Sequence, residues 1–241
     1  MKNKTLTISI INFKTWKETK DCVKSCLLNI KDIDYKIILS DNTLKDEEGV
    51  IPETNPWDDE LVMIIRHDRN TGFGFAHNYA FNKSNSDFFL VLNNDTELTG
   101  HTNIGLIIDY LNNNEKAGVV GIKMEGSNSS AFNYFPNLLN LFFIYYFNHY
   151  PKNVFIPNDK PQQCMHINGA FMFFRSEAYR KLNGFSSDFF MYFEDTDLCY
   201  RMIQHDYSVI YLPYLTYIHK GGVSARIKDE FSQAVKSNYH E

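Results

Sequence analysis

Three groups of polar residues, far apart in the chain, carry side chains suited to chemistry. Asn93-Asn94-Asp95 follows an apolar run and precedes Thr96-Glu97. A polar turn accounts for such a group, because Asn and Asp side chains bond to nearby backbone. Taken alone the turn is the favoured reading; the functional one is a hard oxygen ligand at Asp95, for Mg2+ or Mn2+ held by one or two carboxylates together with a substrate's phosphates. Glu194-Asp195-Thr196-Asp197 stands where a helix opens. Acids there satisfy free N–H groups and oppose the macrodipole, yet three acids in four positions exceed what capping requires. The preceding Phe189-Phe190-Met191-Tyr192-Phe193 sets apolar walls beside Glu194 and Asp195. Desolvation there raises a carboxyl's pKa, which suits a general base acting on a hydroxyl. Arg201 either braces this cluster or opposes its charge. His219, ahead of Gly221-Gly222, is either a structural imidazole or the partner of Asp95 in a metal site.

Gly72-Phe73-Gly74 lies between a strand pattern and a helix pattern, with Asp95 about twenty residues on, as in a dinucleotide-binding turn. His77 occupies the place of the third glycine, and the turn follows the third strand of the sheet, not the first. A nicotinamide or flavin enzyme is therefore a minor alternative.

The elements that must position these groups read as follows. Strands are expected at Leu6–Ile11, Tyr35–Ser40, Leu61–Ile65, Phe88–Leu92 and Val119–Lys123. Helices are expected through Trp16, Val23, Cys26, Leu27 and Ile30, over Phe75–Lys83 and over Asn103–Asn112. Near-continuous apolar strands alternating with helices mark an α/β fold with a mostly parallel sheet covered on both faces. Ligands bind beyond the carboxyl ends of such strands. Asn12, Asp41, Asn70 and Asp95 stand at four of those exits and should converge on one rim. Residues 124–165 hold most of the aromatic excess and little periodicity. Order returns at Ile167–Phe174, a helix from Ser176, the turn Asn183-Gly184, a helix carrying Leu198, Cys199 and Met202, and short strands at Ser208–Leu212 and Leu215–Ile218.

Composition bounds the partners. The 241 residues, 44% hydrophobic and 22% charged, suffice for one large domain with a full core. Lys and Arg number 24 against 29 Asp and Glu, a net charge of −5, which lacks the basic surface nucleic acid needs. The four cysteines form no Cys-x-x-Cys pair, so buried free thiols in a reducing cytoplasm are expected. Met1-Lys2-Asn3-Lys4-Thr5 runs straight into a strand pattern. Leu138–Tyr150, interrupted by Asn140, Asn148 and His149, falls short of the roughly 20 residues of a membrane span. That segment either packs in the core or rests on the inner face of the plasma membrane through Phe142, Phe143, Tyr146 and Phe147.

These elements in this order resemble a family 2 glycosyltransferase with the GT-A fold, from about Leu6 to Ser224. The resemblance rests most on Leu92-Asn93-Asn94-Asp95-Thr96, on Asn168-Gly169-Ala170 and on Phe190 through Arg201. Within the family it is most like the bacterial rhamnosyltransferases of O-antigen and other surface polysaccharides. The resemblance implies a single GT-A domain, with a nucleotide-sugar-binding half at 1–123, an acceptor-binding and catalytic half at 124–224, and a tail at 225–241. It implies that Asn93-Asn94-Asp95 stands for the family's Asp-x-Asp motif, with Asn93 in place of the first acid. Asp95 and His219 would then hold a divalent ion. It implies Asp195 as the catalytic base in a Glu-Asp motif with Glu194, and Asp41 as the reader of the nucleobase. Asn12 and the Asn70-to-Gly74 turn would shape the nucleotide pocket, Asn78 would reach the nucleotide, and Gly169 would approach the donor sugar. The implied reaction is an inverting transfer from a nucleotide sugar, dTDP-rhamnose in the first instance, to a hydroxyl of a glycan or lipid-linked glycan. The alternative from another class is a non-catalytic nucleotide-sugar or glycan-binding module on the same fold.

Overall fold

A computed structural model describes residues 4–58, 60–125, 131–132 and 160–221. In chain order the elements are β1 (Thr5–Asn12), α1 (Trp16–Asn29), β2 (Asp34–Asp41), β3 (Val62–Arg66), α2 (Phe73–Asn82), β4 (Phe88–Asn93), β5 (Thr96–Leu98) and α3 (Ile104–Asn113). There follow β6 (Ala117–Met124), β7 (Ala131–Phe132), β8 (Gln162–Cys164), β9 (His166–Ile167), β10 (Phe171–Arg175), α4 (Ser176–Lys181), α5 (Glu194–Gln204) and β11 (Ser208–His219). The aromatic segment Leu138–Tyr150, Gly222 and the polar tail lie outside the described residues.

One sheet runs in the order β3-β2-β1-β4-β10-β6-β11-β5, with β8 also paired to β11. The pairs β3–β2, β2–β1 and β1–β4 are parallel, as the continuous apolar runs imply. β10 inserts antiparallel to both β4 and β6, and β5 and β8 lie antiparallel on β11. The sheet as a whole is therefore mixed, and the mostly parallel arrangement holds for its first half. The sequence of Phe171–Arg175 carries no sign of direction, because a strand buried on both faces reads alike either way.

The faces are visible in β4. Phe88, Leu90 and Leu92 join the cluster under α1 and α3, while Phe89 and Val91 join the one under α2, α4 and α5. All five are fully buried, each contributing roughly 1.5–3 kcal/mol relative to exposure. Part of the aromatic excess is core. Tyr179 packs against Phe81, Phe174, Phe89 and Phe185 with ring centroids 4.6, 4.9, 5.1 and 5.7 Å apart. All four cysteines are buried and free. The two short strands expected near the end are one strand, β11, whose register on β6 shifts between Leu212 and Thr216. Pro213 sits in that irregularity, where the missing N–H disturbs no ladder. Among the described residues no helix is long and apolar enough to cross a membrane.

Candidate active site

At the carboxyl ends of β1 and β4 opens a cleft of about 340 Å³. Asn42, Asn70, Gly72, Phe73, His77, Asn93, Asn94, Gly169, Glu194, Asp195 and His219 are among its lining residues. The walls come from both halves of the chain, joined where the Asn93 amide donates to the Ala170 carbonyl at 3.0 Å. A second crossing lies at Gly72 and Phe73, where the Phe73 amide donates to the Phe190 carbonyl at 3.0 Å.

Asn12 and Asp41 lie beneath the cleft and do not line it. Asn12 is fully buried, and its amide donates to Asp41 Oδ1 at 2.8 Å and to the Gly49 carbonyl at 2.9 Å. Asp41 accepts from the amides of Thr43 and Ile51 at 3.1 and 2.8 Å, so both its oxygens are engaged in the 42–51 loop. The carboxylate expected to read a nucleobase instead fastens that loop. Asn42, its neighbour, reaches the cleft and donates to Asn70 Oδ1 at 3.1 Å. Asn78 departs from expectation as well. Its amide donates to the Phe185 carbonyl at 2.8 Å, and its oxygen accepts from Tyr179 Oη at 2.7 Å and from the Phe185 amide at 3.0 Å. It holds the segment after α4 and is absent from the cleft lining.

Asn94 is tied to Thr15 and Thr19 of the α1 region, leaving Asp95 as the acid of that turn. The antiparallel pairing of β5 with β11 puts His219 opposite Thr96. His219 Nε2 lies 2.9 Å from Asp95 Oδ1. The other carboxylate oxygen, Oδ2, is buried with no hydrogen-bond partner. An unpartnered buried carboxylate oxygen is costly unless a cation satisfies it. Two ligands about 2.1 Å from one octahedral ion sit roughly 3 Å apart when adjacent, so the observed pair suits a divalent cation completed by water and phosphate oxygens. Among the described residues no cluster of three or more His, Cys, Asp or Glu side chains forms a closed metal cage.

Glu194 and Asp195 open α5 behind Tyr192 and Phe193, both in the left-handed region at φ 70° and 69°. Asp195 Oδ2 accepts from the Gly169 amide at 3.0 Å and lies 3.3 Å from His166 Nε2, while Oδ1 accepts from the Thr196 amide at 2.7 Å. Burial pushes the Asp195 carboxyl up, but His166, Thr196 and Gly169 outweigh it and hold the group below the usual range. Burial, aided by the Asp195 charge, raises Glu194 to about 7, and its Oε2 has no hydrogen-bond partner. The expectation that burial raises both carboxyls thus holds for Glu194 and is reversed for Asp195. Two adjacent acids are split, one kept ionised and one that titrates near neutrality. His77, buried with Nδ1 2.7 Å from Ser9 Oγ, is pushed down to about 3 by burial.

Residues 7–182 match the family model described as glycosyl transferase family 2. The chain belongs to that family. Residues 129–237 also match glycosyl transferase family group 2. This glycosyltransferase is related to the rhamnosyltransferase WbbL of Escherichia coli (strain K12), 27% identical over 224 residues that cover 83% of this chain and 79% of the relative. Its fold is similar to that of the mannosyltransferase PcManGT from Pyrobaculum calidifontis in complex with GDP-Man and Mn2+, at TM-score 0.65 and 13% identity, over 98% of this chain and 65% of that one. It is also similar to GalNAc-T7 with UDP, GalNAc and Mn2+, at TM-score 0.64 and 12% identity, over 90% and 44%. A third likeness is to S. aureus TarS, at TM-score 0.56 and 13% identity, over 90% and 37%. The chain thus spans from little over a third to about two thirds of these solved chains, and the shared part has the GT-A fold.

The sequence reading assigns no role to Asn42 and Asn168, which line the cleft, or to His166, which lies outside the lining beside Asp195. Asn42 and Asn168 each adjoin a residue it did single out, and that adjacency was the available signal. His166 lies in a two-residue strand too short to show any period.

Proposed function

We propose that this glycosyltransferase performs an inverting transfer from a nucleotide-sugar donor, with dTDP-rhamnose as the donor to test first, to a hydroxyl of a glycan or lipid-linked glycan. The observation that carries this reading is one cleft lined by an ionised, well-held Asp195 on one side and by His219, paired to a half-satisfied Asp95, on another. The relative named as a rhamnosyltransferase supports the choice of sugar, and the Mn2+ of two similar structures supports a metal.

Asp195 accepts the proton of the acceptor hydroxyl as its oxygen attacks the anomeric carbon. Gly169 and Thr196 amides keep the carboxylate aimed. Glu194, raised to about 7, is about half protonated near pH 7, and Asp195 is the acid held ionised throughout that range. Asp95 and His219 would hold a divalent cation, which would supply charge neutralisation for the diphosphate leaving group. Asn42, Asn70, Gly72, Asn93 and Asn94 line the donor side, with Asn12 and Asp41 stiffening the loop beneath. A single displacement needs no second nucleophilic carboxylate, and it inverts the stereocentre.

Asp195→Asn keeps the shape and the hydrogen-bond acceptor but not the base. It is expected to lower kcat by about 10²–10⁴-fold with donor affinity little changed. Near-normal transfer by this variant would remove the base assignment. Failure of any nucleotide sugar to be transferred or hydrolysed, with binding retained, would favour the binding-module alternative.

A further inference from the structure

His166 is not among the residues lining the cleft, whereas Asp195 is, so the imidazole meets the carboxylate from behind. Its position is fixed by its neighbours. Ile167, fully buried, presses on Gly121, where an added Cβ would meet Ile167 Cγ2 at 2.8 Å. β9 pairs with β7 and packs against α5. Three residues later Gly169 donates its amide to the same Asp195 oxygen that His166 approaches. One short segment therefore reaches Oδ2 twice, by the Gly169 hydrogen bond and by the imidazole at 3.3 Å, while Thr196 holds Oδ1 from within the helix.

Resting on the assignment of Asp195 as base, we infer that His166 is a positioning residue that forms a dyad with Asp195, fixing the carboxylate for the acceptor hydroxyl and setting the pH at which transfer begins. The groups facing Asp195 leave this task to His166. On α5 itself, Glu194 titrates at about 7 and never carries a positive charge, and Asp197 is paired with Arg201 at 2.7 Å. The thiols of Cys164 and Cys199, toward β8 and within α5, are raised by burial and stay neutral. The opposing push of burial on Asp195 is overcome first by the His166 contact and then by the amides of Thr196 and Gly169. The 3.3 Å separation is loose, as catalytic contacts often are before substrate arrives. In the transfer step the hydroxyl proton passes to Asp195 and the hydroxyl oxygen bonds to the anomeric carbon. The diphosphate leaves with the electron pair of the bond that breaks, and His166 makes and loses no covalent bond.

The test is the pH profile of kcat at saturating donor for the wild type, His166→Phe, His166→Gln and Asp195→Asn, with donor KM measured in each. Loss of the imidazole should move the acidic limb of His166→Phe up by about one pH unit, so that activity on that limb falls roughly tenfold while donor KM stays unchanged. His166→Gln, which keeps a neutral donor, should move it less. It also serves as the sole readout should the Phe variant not fold. An acidic limb unmoved in the folded His166 variants, with Asp195→Asn inactive, would overturn the dyad and leave the base in place. Substantial activity in Asp195→Asn would instead overturn the base, and the dyad with it.

Discussion

Glu194 and His77 line the same cleft and titrate in opposite senses. Glu194 is raised to about 7, chiefly by burial, so it stays protonated in the fold where the unfolded chain has ionised. Its contribution to stability is full below about 4.5 and is lost as pH rises toward 7. His77 is pushed down to about 3 by burial, so it stays neutral where the unfolded imidazole is charged. Its contribution is full above about 6.5 and is lost as pH falls toward 3. Between about 4.5 and 6.5 the unfolded chain binds one proton fewer at Glu194 and one more at His77, and for this pair the slopes cancel. Glu194→Gln removes one of them. From pH 4.5 to 7 the variant should gain on the wild type by up to about 1.4 kcal/mol per pH unit, read as the difference in urea-unfolding free energies. A difference that stays constant across that range would mean an ordinary carboxyl at Glu194.

Among the elements, the turn before α2 carries the most backbone constraint. Gly72 has φ 80° and ψ −178°, a region open essentially to glycine alone, and an added Cβ would lie 2.4 Å from the Phe190 carbonyl oxygen. The opposing segment is itself constrained, with Tyr192 and Phe193 both left-handed just ahead of Glu194. Such strain persists only where the surroundings enforce it, and here it aims the first turn of α5 into the cleft. Gly72→Ala should therefore cost about 2–3 kcal/mol and push the 190–193 segment outward. Thermal unfolding and donor KM would both register it, and an unchanged KM with unchanged stability would contradict the crossing. The sequence shows Gly72 as a turn residue but not what it crosses, because the contact joins positions over a hundred residues apart. The first-half strands and helices are legible because each is long enough to show its period. β5, β7 and β9 are two or three residues long and owe their pairing to partners elsewhere. Pro213 reads as a break, and is one in the ladder, but backbone pairing resumes beyond it.

At the scale of the molecule, Asp95, Asp195 and His219 were legible because each stands where an apolar pattern stops. Their meeting depends on β10 entering between β4 and β6 and on β11 returning beside β5, and no local signal encodes either choice. The same topology makes donor binding and folding one linked equilibrium, since a ligand in the cleft touches both halves of the sheet. A donor at a hundred times its Kd adds about 2.7 kcal/mol to stability, which for a chain of this size is a rise in Tm of roughly 5–10 °C. With dTDP-rhamnose and Mn2+ or Mg2+ together, the wild type should show a shift of that order, and a much smaller one with donor and chelator. Asp95→Ala or His219→Ala should abolish the difference between the two conditions, because on the proposed reading those two side chains would hold the cation, and the described residues offer it no closed cage. A donor shift equally large without metal, or a metal-dependent shift that survives both substitutions, would show that the half-satisfied Asp95 is not where the cation sits.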